Sequence, residues 1–284
     1  MPKLGLHGLA AAPMWDPGPW QAILERLVPM GLTSVEIPLV RPEEMQPDAT
    51  RALAERFGLE TVASLGLPGR LDPLARPEEA AAFLETALEA VARAGGRALT
   101  GVTYGVIGAT TGAAPTTAEL DAVARLVEAG AAAASARGLR LGIEPCNRYE
   151  THLLNTAAQA RAVCERVGAD NVFVHLDSYH MQIEEVSAVR AVADAGPFLE
   201  YIHLSEANRG VPGRGSLDWK ALFAALADAG FDGTAALESF VFVDAELAAG
   251  LAIWRPVAAD PDEVLSVGLP FLKTQGEAAG LIWR

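Results

Sequence analysis

Eight short apolar runs recur along the chain, each followed by an amphipathic segment, in units of roughly 30 residues, the size of one strand–helix module. No other feature of the chain narrows its possible folds so far. The runs are Lys3–Gly8, Ser34–Leu39, Glu60–Gly66, Ala98–Tyr104, Leu139–Glu144, Val172–Asp177, Tyr201–Leu204 and Ala235–Phe240. Their length suits buried strands. Between them the apolar positions follow the helical period. Trp20, Ile23, Leu24 and Leu27 fall at i, i+3, i+4 and i+7, as do Trp219, Leu222, Phe223 and Leu226, and Ala160, Val163, Cys164 and Val167. Thr116 with Glu119 and Thr156 with Gln159 fit the capping box, and Asp260-Pro261 with Glu263 supplies an N-cap and a first-turn proline. Gly31, Gly58, Gly138, Gly168 and Gly230 mark helix ends. An α/β chain forming a single (β/α)8 TIM barrel domain over residues 1–284, with a short C-terminal extension, accounts for this order. A doubly wound open sheet is the alternative. Val241–Pro261 is the longest break in the rhythm and is expected to cap or extend the barrel.

Charge and composition remove other classes. The chain carries 22 Lys+Arg against 36 Asp+Glu, a net charge of −14, which argues against a phosphate-binding surface and a nucleic-acid partner. An apolar fraction of 51% with 20% charged residues excludes disorder. Two cysteines, Cys146 and Cys164, make no disulfide framework and point to the cytoplasm. Met1 to Met14 has one Lys and an apolar run interrupted by His7, so it reads as a first strand rather than a signal peptide. Residues 98–118 carry no charge over a length that could span a membrane. Six Thr, four Gly and Pro115 break the run, so a strand, a loop and a helix start are expected, and no membrane partner.

In such a barrel the chemistry collects at the C-terminal ends of the strands. There, runs five to eight present Glu144, Asp177, His203 and Glu238, spaced 33, 26 and 35 residues apart, one module each. Any one of them alone is an ordinary polar residue where a strand meets solvent. Four in register, each after an apolar run, predict a metal site. Three carboxylates and one imidazole suit Mn2+, Mg2+ or Co2+ better than structural zinc, which favours thiolates.

The segment Gly142-Ile143-Glu144-Pro145-Cys146-Asn147-Arg148-Tyr149-Glu150 resembles the strand-five motif of the ketose 3-epimerases. These are the D-tagatose, D-allulose (D-psicose) and L-ribulose 3-epimerases of the xylose-isomerase-like TIM barrels. The segment from His175-Leu176-Asp177 through His180 to Glu185 is similar to their strand-six motif. His203-Leu204-Ser205-Glu206-Ala207-Asn208-Arg209-Gly210 and Leu237-Glu238-Ser239-Phe240 complete the set, and Leu251-Ala252-Ile253-Trp254-Arg255 resembles the segment after strand eight. The resemblance implies that Glu144, Asp177, His203 and Glu238 bind one divalent metal ion, Mn2+ foremost, with Co2+ or Mg2+ as alternatives. It implies a free ketose as substrate and epimerisation at C3, with Glu144 and Glu238 removing and returning the proton. That proton is far too weak an acid for a free carboxylate of pKa about 4.3, hence the polarising metal. It further implies that His180 and Arg209 bind substrate oxygens near C1 and C2, that Glu150 hydrogen-bonds near the metal shell, and that the protein is a homodimer or homotetramer.

Other residues are less determined. His7, at the end of the first run, either contacts the substrate in the pocket or packs and caps, and Glu36 also faces the rim. Ser64 and Gly66 would let a sugar approach closely. His152 and His175 read as structural, and Cys146 as a packed thiol with no partner His. Several relatives carry an aromatic residue after strand four that packs on the sugar. Here Tyr104 and Ile107 stand in that stretch, and Trp15 in the first loop is the other candidate wall. The glycine-rich Gly210–Gly215 has the wrong spacing for a dinucleotide and resembles the loop after the substrate Arg. Rival activities on the same barrel are a hydroxypyruvate or aldose–ketose isomerase and an inosose-type dehydratase. A repair nuclease is disfavoured by five His and the charge of −14. A non-catalytic sugar binder has no need of the four-residue set.

Overall fold

All eight apolar runs are strands. The computed structural model, which describes residues 1–242 and 251–284, closes them into one barrel. β1 (Lys3–His7), β2 (Ser34–Pro38), β3 (Glu60–Leu67), β4 (Ala98–Val106), β5 (Arg140–Ile143), β6 (Val172–Asp177), β7 (Leu199–Leu204) and β8 (Thr234–Leu237) pair in chain order. Every neighbour is parallel, and β1 closes on β8, which rules out the open sheet. Strands covered on both faces read as continuous apolar runs; in β4 every residue is buried.

Helices α1 (Pro17–Leu27), α2 (Pro47–Phe57), α3 (Pro77–Arg93), α4 (Thr117–Ser135) and α5 (Ala157–Val167) return the chain between the first six strands. A short extra helix, α6 (Ser178–Glu184), follows β6 directly; α7 (Ala188–Ala195) and α8 (Trp219–Asp228) complete the return segments. Trp20, Leu24, Leu27, Trp219, Leu222, Phe223 and Leu226 are buried, as their spacing requires. Both capping boxes form, and the five stop glycines have positive φ. Asp260 caps the turn Pro261–Glu263, which runs through a π-type segment into α9 (Leu269–Ala278). This C-terminal extension packs on α8, with Phe271 edge-on to Trp219 and Trp283 edge-on to Phe223. Of the expected cap Val241–Pro261, residues 243–250 lie outside the described residues. Residues 98–118 are β4, a loop and the start of α4. Among the described residues, no helix is long and apolar enough to cross a membrane.

Side chains alternate along a strand, so each rim residue has its i−2 neighbour inside the barrel below it. Below Asp177 is His175, and below His203 is Tyr201; their rings meet at 4.7 Å. Below Glu144 and Glu238 are Gly142 and Ala236. Three large rings, Phe173, His175 and Tyr201, therefore share the interior with small residues from the neighbouring strands β5 and β8. A Cβ on Gly142 would lie 2.1 Å from Thr100 Oγ1 and 2.6 Å from the Phe173 ring, where the Thr100–His175 hydrogen bond already fills the space.

Gly142→Ala should therefore lower stability by about 1–3 kcal/mol, the usual cost of overpacking a core. Gly69→Ala, where a Cβ meets nothing within 4 Å, should change it by less than about 0.5 kcal/mol. Urea denaturation of both variants reads the difference.

Candidate active site

Strands β5 to β8 deliver four residues to one buried cluster. Glu144 and Glu238 are the first residues past β5 and β8, because both strands stop earlier than their apolar runs suggest. Their backbone N–H groups stay anchored, Glu144 to Gly101 O at 3.0 Å and Glu238 to Leu204 O at 3.3 Å. Asp177 ends β6 and divides its carboxylate. Oδ1 accepts the Tyr179 N–H at 2.8 Å and caps α6, leaving Oδ2 for the cluster. His203 Nδ1 lies 3.2 Å from Glu238 Oε1 and 3.5 Å from Glu144 Oε1, and among the described residues it has no hydrogen-bond partner.

Arg209 reaches into the same space. Its Nη1 donates to Asp177 Oδ2 at 2.6 Å, to Glu238 Oε2 and to Ser205 Oγ at 3.1 Å. The guanidinium is sandwiched between the Tyr179 ring at 3.9 Å and the Phe240 ring at 4.8 Å. The backbone of Arg209 is left-handed, φ 61°, which costs a non-glycine residue about 1–2 kcal/mol. Hydrogen bonds hold it there: its N–H donates to Glu206 O at 2.8 Å and its carbonyl accepts from Ser239 Oγ at 2.6 Å. Glu206, fully buried, also organises the following loop, accepting from Gly213 N, Leu217 N and Trp219 Nε1 at 3.0–3.1 Å.

His180 faces the cluster from α6. Its Nδ1 accepts the backbone N–H of Asn147 at 3.1 Å, so the proton of the neutral ring sits on Nε2. Nε2 points at Asp177 Oδ2 (3.6 Å), Glu144 Oε1 (3.9 Å) and Glu150 Oε2 (4.0 Å). The Asn147 amide also donates to Glu150 Oε1 at 2.8 Å, so one side chain holds both His180 and Glu150.

Charge balance shows what the cluster lacks. Glu144, Asp177, Glu238 and Glu150 face a single guanidinium. Burial pushes Asp177 up to about 6 and Glu150 to about 7, and raises Glu144 as well. Burial disfavours charge on His203, but Glu238 and Glu36 beside it outweigh that and raise its pKa well above the ordinary value. Without a metal ion, the cluster draws in protons. Three carboxylates converging on an unpartnered imidazole nitrogen fit a hard divalent cation, which would replace the proton on His203.

The structure corrects several expectations. Tyr104 is no sugar wall: it is fully buried, and its hydroxyl donates to Glu144 O at 3.0 Å and Leu154 O at 3.3 Å, bracing the strand end. Gly66 opens no space for a sugar, because the Ile107 side chain fills it, 2.8 Å from a Cβ built there. Trp15 packs on Trp20 and donates to Thr50 Oγ1, tying it into the helical layer. Glu36 lies fully buried on the side of the His203 ring away from the carboxylate cluster. His7 is buried beside His203 and Phe240, with its Nδ1 unpartnered among the described residues. Other expectations hold: Cys146 is a packed, buried thiol that donates to Glu144 O, and His175 and His152 are structural, bonded to Thr100 and Glu119. Sequence reasoning missed Asn147, Tyr179, Tyr201 and Glu206. Asn147, Tyr179 and Glu206 lie inside the motif segments, beside residues that were singled out.

The sequence profile of the xylose isomerase-like TIM barrel matches residues 24–257. The chain is 32% identical to the L-ribulose 3-epimerase of Methylomonas sp. (strain DH-1) over 277 residues, covering 95% of this chain and 96% of the relative. It is 33% identical to a ketose 3-epimerase of Arthrobacter globiformis, covering 92% of each chain. The crystal structure of D-allulose 3-epimerase from Methylomonas sp. in complex with D-allulose superposes with a TM-score of 0.90 at 30% identity, covering 96% of this chain and 97% of that one.

Two histidines of the site should stay neutral far below their ordinary range. Burial lowers His7 to about 4, and burial with the nearby Arg209 lowers His180 well below 6.5. The unfolded chain binds these protons near pH 6.5 and the folded one does not, so stability is full above that pH and falls as pH drops towards 4. Side-chain NMR should show neither ring titrating between pH 8 and about 5.5. His7→Gln should flatten part of the acid loss of the urea midpoint.

Proposed function

The chain belongs to the ketose 3-epimerase family of the xylose isomerase-like TIM barrels, and on that premise we propose that it interconverts free ketoses by removing and returning the proton at C3. Substrate pairs of this class are D-fructose and D-allulose, D-tagatose and D-sorbose, or L-ribulose and L-xylulose. The observation that carries the reading is the unpartnered His203 Nδ1 facing Glu144 and Glu238. Glu144, Asp177, His203 and Glu238 would hold one divalent ion, Mn2+ first, with Co2+ or Mg2+ as alternatives. When bound, that ion polarises the C2 carbonyl and so acidifies the C3 proton.

The chain's own groups do the rest. Glu144 and Glu238, from β5 and β8, are the proposed acid–base pair. Arg209 neutralises Glu238 and Asp177 and offers its guanidinium to a substrate oxygen. His180, with its proton fixed on Nε2, donates to another. Glu150 sets the charge around His180, and the free Nδ1 of His7 supplies a further polar contact. A guanidinium already shared by two carboxylates favours a neutral sugar over a sugar phosphate. Assembly as a homodimer or homotetramer is proposed from the family resemblance. Buried free thiols support a cytoplasmic setting.

A panel of free ketoses, incubated with Mn2+-loaded and EDTA-treated protein and resolved by chromatography, tests the proposal. C3 epimers should form only with metal, and in D2O the product should carry deuterium at C3. Deuterium at C1 or C2 would mean an aldose–ketose isomerase, and loss of water a dehydratase. Glu238→Gln should cut turnover by about 10²-fold or more with the melting temperature retained. Absence of metal-dependent turnover on every ketose overturns the reading.

A further inference from the structure

His203 has two ring nitrogens, and the proposed metal site uses only one. The other, Nε2, lies 2.7 Å from Glu36 Oε2, across the barrel on β2. The same oxygen accepts the hydroxyl of Tyr201 at 2.7 Å. All three side chains are buried, so the geometry is closed to water. An ionised carboxylate can only accept, and the phenol hydroxyl is committed to it as a donor. One proton therefore stays on His203 Nε2, and the proton that a metal ion would replace is the one on Nδ1, which faces Glu144 and Glu238.

The alternation of β7 builds this arrangement. Tyr201 and His203 are two residues apart and point to the same side, so a phenol and an imidazole meet one carboxylate from the opposite strand. The remaining oxygen, Glu36 Oε1, has no hydrogen-bond partner among the described residues and lies 3.7 Å from His7 Nε2. Burying a carboxylate this deeply is costly, and a well-packed apolar residue would serve the core as well. Its position behind His203 supplies the reason for its presence.

We propose that Glu36, steadied by Tyr201, is the positioning residue that fixes the tautomer and orientation of His203 for the divalent ion. The proposal rests on the metal reading above. Groups that hold the far nitrogen of a ligating histidine commonly contribute about 10- to 100-fold in metal affinity. Glu36→Gln keeps the shape but replaces one acceptor oxygen with an N–H donor. Tyr201→Phe removes only the second donor to the carboxylate.

Calorimetric titration of Mn2+ into metal-free wild type, Glu36→Gln and Tyr201→Phe reads the effect. Glu36→Gln should weaken Mn2+ by about 10- to 100-fold and Tyr201→Phe by less, with melting of the metal-free proteins as the control for folding. Nitrogen-15 shifts of His203 in the Mg2+-loaded wild type should show the proton on Nε2. Affinities of folded variants within about two-fold of wild type, or a proton on Nδ1, overturn the inference; if Glu36→Gln does not fold, Tyr201→Phe and the wild-type tautomer decide. A wild type that binds no divalent ion would instead overturn the metal reading beneath it.

Discussion

Burial of several carboxylates around one imidazole is the constraint on which this site depends. A closed parallel barrel shields its interior from water, and isolated charge there is expensive. Glu36, Glu144, Asp177 and Glu238 all meet that condition, with one guanidinium among them. Each neighbouring feature answers the imbalance. Tyr201 donates to Glu36, the Tyr179 N–H to Asp177, and Arg209 to Asp177 and Glu238. A positive charge is still wanted at the centre, and His203 stands where it would be met.

The strands supply register, and the loops supply orientation. Arg209 is held in a left-handed backbone by Glu206 and Ser239, and its head is clamped by two rings. Strain of this kind persists only where surrounding contacts over-determine it. Asn147 does comparable work on the other side, holding His180 and Glu150 with one side chain and one backbone N–H. Glu206 and Asn147 act from the loops after β7 and β5, Tyr179 from α6, and Ser239 and Phe240 from the segment after β8, so the supports come from every rim connection that bears a site residue.

Much of this was legible before the structure. The barrel could be read from the spacing of apolar runs, and the helix ends from Thr116, Thr156 and the glycines. The rim set was legible because a parallel strand in a barrel puts its last residues at one end whatever its sequence. Strand lengths were less legible: β4 runs on to Val106 and β5 stops at Ile143, because hydrogen bonding to neighbours, not apolarity, ends a strand. Tyr104 looked like a sugar wall, and its hydroxyl instead braces the Glu144 carbonyl from inside.

Local pattern thus determined which side chains arrive at the rim, since periodicity and register are properties of neighbouring residues. Tertiary structure alone decided what those side chains meet. Glu36 and His203 are separated by 167 positions and share a hydrogen bond because the barrel closes. No local pattern encodes such a pair: it exists only when β2 and β7 enclose the same interior, where an unpartnered carboxylate would be too costly to keep.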